Sequence, residues 1–367
     1  MFRHLRSFDI PLLIPVAFLL SLGLLTLYSL SPISGDLFLK KQILWIIVGI
    51  AAMAWISGID YRILRNRGAI VFLLYAACIA ALSLLFVAGS RLKGVEGWFS
   101  FGSFLLQPVE FLKIILIILL AKYFSHRHIE IHRWMHIAIS AIYTGVAAML
   151  LLLQPDLGST IVITVLWIAI MIFAGIPGRR LLVLFVAFLA IAVTLWTFVL
   201  APYQKARITN FIDPWKDPKG GGYNSIQSMI AVGSGQILGE GIGYGTQSHL
   251  HFLPEPETDF IFATFAEEWG LVGASVIFIL FGALFWRLLT LARTSTNNFA
   301  RIFILGYLFL LFIQFVVHVG ANTGVLPITG LTLPFVSYGG SSILSLFIGL
   351  GIIQSIQIHK SISFDEE

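Results

Sequence analysis

Glu110 and Lys113 stand three residues apart in a stretch, Phe104 to Ala121, that carries no other charge. On a helix that spacing places both on one face and within reach of each other. Ionisable groups inside a membrane span are costly and point to function by default. From position alone, a self-neutralising pair that steadies a bundle explains them equally well. Asp156, in Gln-Pro-Asp-Leu-Gly, follows a proline that disfavours helix at Gln154, and it is placed to cap the next helix. His318, in an apolar run, reads as a packed or hydrogen-bonded imidazole rather than a ligand or proton relay. His128, His132 and His136 recur every four residues beside His126, with Glu130 the one nearby carboxylate. They read as a solvated interfacial face and not as a metal site.

The stretch from Gly233 to Asp259 is the densest in special residues. Glycines 233, 235, 239, 241, 243 and 245 give a backbone that can take unusual conformations and approach a ligand closely. The Lys-Ser/Thr ending of a phosphate loop is missing, and no strand precedes the run. His-Leu-His-Phe-Leu-Pro-Glu-Pro-Glu-Thr-Asp-Phe follows, from 249 to 260. Pro254 and Pro256 stiffen the approach, Thr258 is predicted to cap the next helix, and Asp259 to fall in its first turn. There Asp259 either complements the helix dipole or presents a proton acceptor on a rigid helix start. Spacing does not separate these two.

The elements that must position these groups are set by composition. Of 367 residues, 58% are hydrophobic and 11% charged, with a mean hydropathy of +0.93. Soluble domains carry about 25% charged residues, so the chain is expected to be all-α and to lie in lipid. About ten stretches of the length a bilayer needs fall near 11–30, 42–59, 68–89, 104–121, 137–154, 159–176, 181–201, 268–286, 302–321 and 338–357. Pro327, Gly330 and Pro334 mark a loop between the last two. The start, with Arg3 and Arg6, reads as an uncleaved first span rather than a signal peptide. Cys78, the single cysteine, excludes an intrachain disulfide and a cysteine-ligated metal cluster.

Residues 1–367 are expected to form one membrane domain. Its largest soluble element is the loop 202–260, between spans seven and eight. With the N-terminus inside, Arg62, Arg65, Arg67, Arg179 and Arg180 are among the many basic residues of the inner segments. Short outer loops hold Lys40, Lys41, Arg91 and Lys93. The positive-inside rule then puts both ends in the cytoplasm and loop 202–260 outside. The net charge of +5 encodes orientation, and no nucleic-acid partner is inferred from it.

Four motifs carry a resemblance to a known family. They are Gln-Pro-Asp-Leu-Gly-Ser (154–159), Gly-Thr-Gln-Ser with Phe-Leu-Pro-Glu and Thr-Asp-Phe-Ile-Phe-Ala (245–263), Glu-Glu-Trp-Gly-Leu-Val-Gly (267–273) and Leu-Pro-Phe-Val-Ser-Tyr-Gly-Gly-Ser-Ser (333–342). In order and over nearly the whole chain, the sequence resembles the SEDS family of shape, elongation, division and sporulation proteins. The Gly-Thr-Gln and Phe-Leu-Pro stretches and the short termini are more similar to the elongation members. Leu331-Thr332-Leu333 leans towards the division members.

The resemblance implies a peptidoglycan glycosyltransferase that polymerises lipid II at the outer face of the bacterial cytoplasmic membrane. It implies Asp259 as the essential carboxylate, with Glu110 and Lys113 in the same outward-facing cavity. It also implies Lys205 and Arg207 as basic residues of the long loop, and a class B penicillin-binding protein as partner beside the membrane lipid. Two departures stand out. Gly97-Trp98 replaces the family's Arg-Trp, so an Arg contact there is not carried over, and Arg91 or Lys93 are the substitutes in reach. Val109 stands where Ser is common.

On this resemblance Asp259 is the general base for an attacking sugar hydroxyl, while Lys113, Lys205 and Arg207 balance the leaving pyrophosphate. A divalent cation, Mg or Mn, would share that work through carboxylate and pyrophosphate oxygens. A transporter that flips lipid II would use intramembrane charge and mobile loops equally well. A scaffold for wall synthases would need no buried charge.

Overall fold

The computed structural model describes residues 8–92, 95–102, 104–125, 134–199, 205 and 209–362. In chain order its main helices are α1 (Ile10–Ser34), α2 (Leu37–Ser57), α3 (Gly68–Ala88), α4 (Pro108–Ser125), α5 (Trp134–Leu153), α6 (Leu157–Ala174), α7 (Gly178–Thr194), α8 (Tyr223–Ser234), α9 (Ile261–Arg293), α10 (Asn298–Asn322) and α11 (Gly340–Ile362). Among the described residues, eight helices are long and apolar enough to cross a membrane: α1, α2, α3, α5, α6, α9, α10 and α11. The two remaining predicted spans are helical as well. One is α4, which holds Glu110, Lys113 and Lys122. The other is α7, seventeen residues long and continued by a π-helical turn, Leu195–Val199. The chain is a polytopic helical membrane protein.

Burial divides the helices into centre and rim. In α11, 83% of the spanning window is buried, and in α10 67%, against 17% in α2 and 28% in α3. A central helix must therefore pack side chains all round, whereas a rim helix shows one side to lipid. Small residues let the backbones close up, as usual where lipid removes the hydrophobic drive between helices. Gly49 of α2, for example, lies against the Phe347 ring of α11. The outermost helix is α7, with Leu182, Phe185 and Leu189 all exposed. Asp9 ties the start of α1 to α9. Its Oδ1 accepts from the Leu12 N–H at 3.0 Å and from Arg287 Nε at 2.8 Å, and Arg287 also reaches Oδ2.

Three features depart from the sequence reading. The fourth span begins at Pro108 rather than 104, because Phe104–Leu106 is a strand, β3. It pairs antiparallel with β2 (Val95–Phe101), Phe99 opposite Leu106, and β2 pairs with β1 (Ser90–Leu92). Proline suits a first helical position, where its missing N–H leaves nothing unpaired, so Pro108 starts the helix that Phe104 does not. The eighth span begins at Ile261 and breaks at Gly270, whose φ of 64° and ψ of −161° are not helical. The turn ahead of it differs too. The cap position is Phe260, so Asp259 precedes the helix instead of lying in its first turn. The Thr258 hydroxyl lies 3.4 Å from a Glu255 carboxylate oxygen, and the Ala263 N–H is taken by Asn322.

Candidate active site

Asp259 sits in the turn between loop and α9, half-buried, with its N–H donating to the Glu255 carbonyl at 3.2 Å. Phe260 has no side chain able to cap α9, and that task falls to a distant residue. Buried Asn322, the last residue of α10, accepts the Ala263 N–H on Oδ1 at 3.0 Å. Its Nδ2 donates to the Asp259 carbonyl at 3.0 Å and to the His318 carbonyl at 2.9 Å.

The motif 333–342 holds the turn from the other side. Ser337 Oγ donates to the Thr258 carbonyl at 2.9 Å and accepts the Leu333 N–H at 2.8 Å, and the Tyr338 N–H donates to the Glu257 carbonyl at 2.9 Å. With its backbone pinned at 257, 258 and 259, the chain turns the Asp259 carboxylate towards Gly330. A Cβ at Gly330, where φ is +73°, would stand 3.6 Å from Asp259 Oδ2.

Glu110 and Lys113 form a closed pair. Lys113 Nζ lies 2.6 Å from Glu110 Oε1, and the two side chains are 1% and 8% exposed. The start of α4 is fastened to the same motif, since Ser341 Oγ accepts the Gln107 N–H at 2.9 Å. Asp156 caps α6 as its sequence position predicts, accepting the Ser159 N–H on Oδ1 at 2.9 Å. Enclosure by protein raises the Asp156 carboxyl above the usual carboxylate range. The hydrogen bonds from Ser159 and the charge of Lys113 oppose that rise, and the charge of Glu110 adds to it. The charges of Lys113 and Glu110 are thus felt at Asp156.

Two residues on, Gly158 packs against Thr329, with the Thr329 carbonyl 2.7 Å from where a Cβ would be. The segment 329–331 is thus bordered by Gly158 on one flank and by Asp259 at Gly330. His318 holds it from α10. Its Nδ1 is 2.7 Å from the Leu331 carbonyl, which can only accept, so that nitrogen carries the hydrogen.

Two glycines of the glycine-rich stretch lie directly against protein backbone. A Cβ on Gly235 would meet the Ala266 carbonyl at 1.9 Å, and one on Gly239 the Glu268 carbonyl at 2.1 Å. The glycines let the loop lie directly on the broken start of α9. Glu267 and Glu268 anchor it from below. Glu267 accepts the Gln247 and Ser248 N–H groups at 2.6 and 3.1 Å, and the Ser248 hydroxyl at 2.8 Å. Glu268 accepts the Gly243 N–H at 3.2 Å and the Ser29 hydroxyl of α1. Sequence reasoning used these glutamates only as motif letters. Nor is His136 on a solvated face, being buried with Nδ1 2.8 Å from the Tyr123 hydroxyl. His126, His128, His132, Lys93 and Arg207 lie outside the described residues. Lys205 is half-buried, and its carbonyl accepts from Thr209.

Among the described residues no three His, Cys, Asp or Glu side chains gather as a metal site. A resident cation site is thus not furnished by these residues. One carboxylate such as Asp259, completed by a substrate's phosphates, is the arrangement they offer, and magnesium sites are commonly of that kind. Apart from these charges, an apolar groove of about 390 Å³ is lined by Trp55 near the end of α2, Ile59 just beyond it, Leu74, Ile118 and Ile352, and reaches Phe111 of α4.

The fold and these residues define a polytopic helical membrane protein with a carboxylate pinned at the head of a broken helix and a buried ion pair in α4. The chain is a member of the SEDS family: the FtsW/RodA/SpoVE model, described as a cell cycle protein, matches residues 10–362. It is 34% identical to stage V sporulation protein E of Bacillus subtilis, over 95% of this chain and 96% of that one. It is 35% identical to the peptidoglycan glycosyltransferase MrdB of Escherichia coli, over 88% and 86%. Among solved structures it is similar to a chain of a peptidoglycan synthase complex that coordinates polymerization and crosslinking, with a TM-score of 0.82, 32% identity and coverage of 95% and 97%. It is also similar to the rod shape determining protein RodA of Thermus thermophilus, with a TM-score of 0.72, 29% identity and coverage of 95% and 96%.

Proposed function

We propose that the chain is a peptidoglycan glycosyltransferase that polymerises lipid II at the outer face of the bacterial cytoplasmic membrane during cell elongation, with a class B penicillin-binding protein as partner. The observation that carries the reading is the setting of Asp259. Its turn is fastened through backbone groups by Asn322, Ser337 and Tyr338, while its carboxylate is directed at Gly330. A side chain oriented by its own backbone, and not consumed as a cap, is suited to accept a proton. The apolar groove reaching Phe111 fits a substrate with a long hydrocarbon anchor. The elongation role rests on Gly245–Gln247 and Phe252–Pro254, since relatives of the sporulation and glycosyltransferase types match about equally.

In the proposed reaction the 4-hydroxyl of one disaccharide attacks the anomeric carbon of another unit. The glycosidic bond forms as the bond to pyrophosphate breaks, and the hydroxyl proton passes to Asp259. An α-linked donor and a β-linked product require inversion, which one direct displacement gives. Lys205 and Arg207 compensate the leaving pyrophosphate from the loop. Lys113 contributes from within its pair with Glu110. A cation held between a carboxylate and the pyrophosphate would add positive charge there.

The test is glycan production from labelled lipid II by purified protein in detergent, where no compartments exist to transport between. Polymer is expected. Lipid II left intact by the folded complex with its partner would instead favour a flippase.

Orientation is part of the proposal. A cysteine placed in loop 202–260 of a Cys78-free variant is expected to react with an impermeant reagent from outside, and cysteines at both ends only after permeabilisation. The excess of Arg and Lys in the segments assigned to the inside motivates this. Opposite accessibility of the two ends would mean an odd number of spans.

A further inference from the structure

Gln314, His318 and Asn322 lie at i, i+4 and i+8 of α10, a polar stripe on a helix that otherwise packs apolar side chains, and all three are at most 2% exposed. Buried polar groups in a membrane bundle need partners, and the lowest of the three has the most. Asn322 uses both ends of its amide on the Asp259 turn. Oδ1 takes the Ala263 N–H, one of the donors that the start of a helix leaves unpaired. Nδ2 donates to the Asp259 carbonyl. His318, one turn before it, holds Leu331 next to the Gly330 that the Asp259 carboxylate faces. The α10 stripe therefore touches both the backbone that carries the carboxylate and the segment opposite it.

We propose that Asn322 is the positioning residue for the Asp259 carboxylate. It sets the orientation of that side chain through the hydrogen bond to its carbonyl, and this role is separate from capping α9. The inference rests on Asp259 being the base. An amide fits both tasks, because it carries a donor and an acceptor and can serve a carbonyl and an N–H at once. Misplacement of a reacting group by about 1 Å costs about 10²-fold in rate, so loss of the Nδ2 contact should be read in turnover more than in binding.

The experiment measures initial glycan rates against lipid II concentration for the full chain with its partner, normalised to folded protein, in single and double variants. Asn322→Ala is expected to lower kcat by about 10- to 100-fold with KM changed less than about threefold. Asn322→Asp keeps an acceptor for the Ala263 N–H, and its charge suits a helix start, but it has no donor for the Asp259 carbonyl. It is expected to be as slow as the alanine variant. Ser228→Ala removes only a bond to the Asn322 main-chain carbonyl and should retain kcat. In an Asp259→Asn background, Asn322→Ala should cause no further loss, because a residue acting through Asp259 has nothing left to position.

Restored turnover in Asn322→Asp would reduce Asn322 to a cap and overturn the proposal. So would an additive loss in the double variant, or an alanine variant whose folded fraction turns over normally. Should Asn322→Ala not fold, the aspartate variant and the double-variant comparison in Asn322→Asp decide alone. Normal activity in Asp259→Asn fells the base assignment and this inference together. An inactive Asp259→Asn beside a fully active Asn322→Ala fells only this one.

Discussion

Asp259→Asn is expected to insert, fold and bind its partner as the parent does, and to yield almost no glycan. A general base is typically worth about 10² to 10⁴ in rate, and any share in holding a cation would deepen the loss. The structure makes this a cleaner substitution than position in the sequence suggests. The Asp259 side chain is not the cap of α9, since the cap position is Phe260 and the Ala263 N–H goes to Asn322. Replacing the carboxylate by an amide therefore leaves the helix start as it was, and the bonds at 257, 258 and 259 are accepted by main-chain carbonyls that the change does not touch. The measurement uses the purified complex with a transpeptidase-inactive partner and resolves labelled products by chain length. Lipid II binding is followed separately. Full-length glycan from well-folded Asp259→Asn would refute the base assignment and leave the membrane architecture standing.

The helices were legible because hydropathy over about 20 residues is a long, averaged signal that single residues do not disturb. Boundaries were less so where backbone chemistry decides them. Phe104–Leu106 is as apolar as the span it precedes and becomes a strand only because Pro108 can start a helix and Phe99 offers an edge to pair with. Asp259 and the Glu110–Lys113 pair could be found as charges in the wrong solvent, and Asp156 by its Pro-Asp spacing.

What positions them could not be found that way. Asn322 lies 63 residues from the carbonyl it holds, and Ser337 lies 79 from its own. Local spacing says nothing about such pairs. A signal was present all the same, since Gln314, His318 and Asn322 fall on one face of a helix with no other strongly polar side chain near them in sequence. The glycines of 233–245 show a related limit. Freedom of approach is a property of the glycine, but what it approaches, here the carbonyls of Ala266 and Glu268, is set by the fold.

Glu110 and Lys113 should prove inseparable in folding and separable in catalysis. Either single neutralisation, Glu110→Gln or Lys113→Met, leaves its partner charged at no more than 8% exposure. Breaking a buried pair from one side costs about 3–5 kcal/mol, enough to deplete folded protein in the membrane. The double variant removes both charges and is expected to regain the folded yield, seen as recovery of the monodisperse complex and of its melting temperature. It is not expected to regain polymerisation. Without Lys113 the Asp156 carboxyl loses the positive charge that opposes its desolvation. Removal of one group that stabilises developing negative charge costs about 10²- to 10³-fold in turnover. A rate measurement on the folded double variant separates the two roles. Turnover near that of the parent would make the pair a strut of the bundle and remove Lys113 from the site, while slow turnover with lipid II still bound would keep it there.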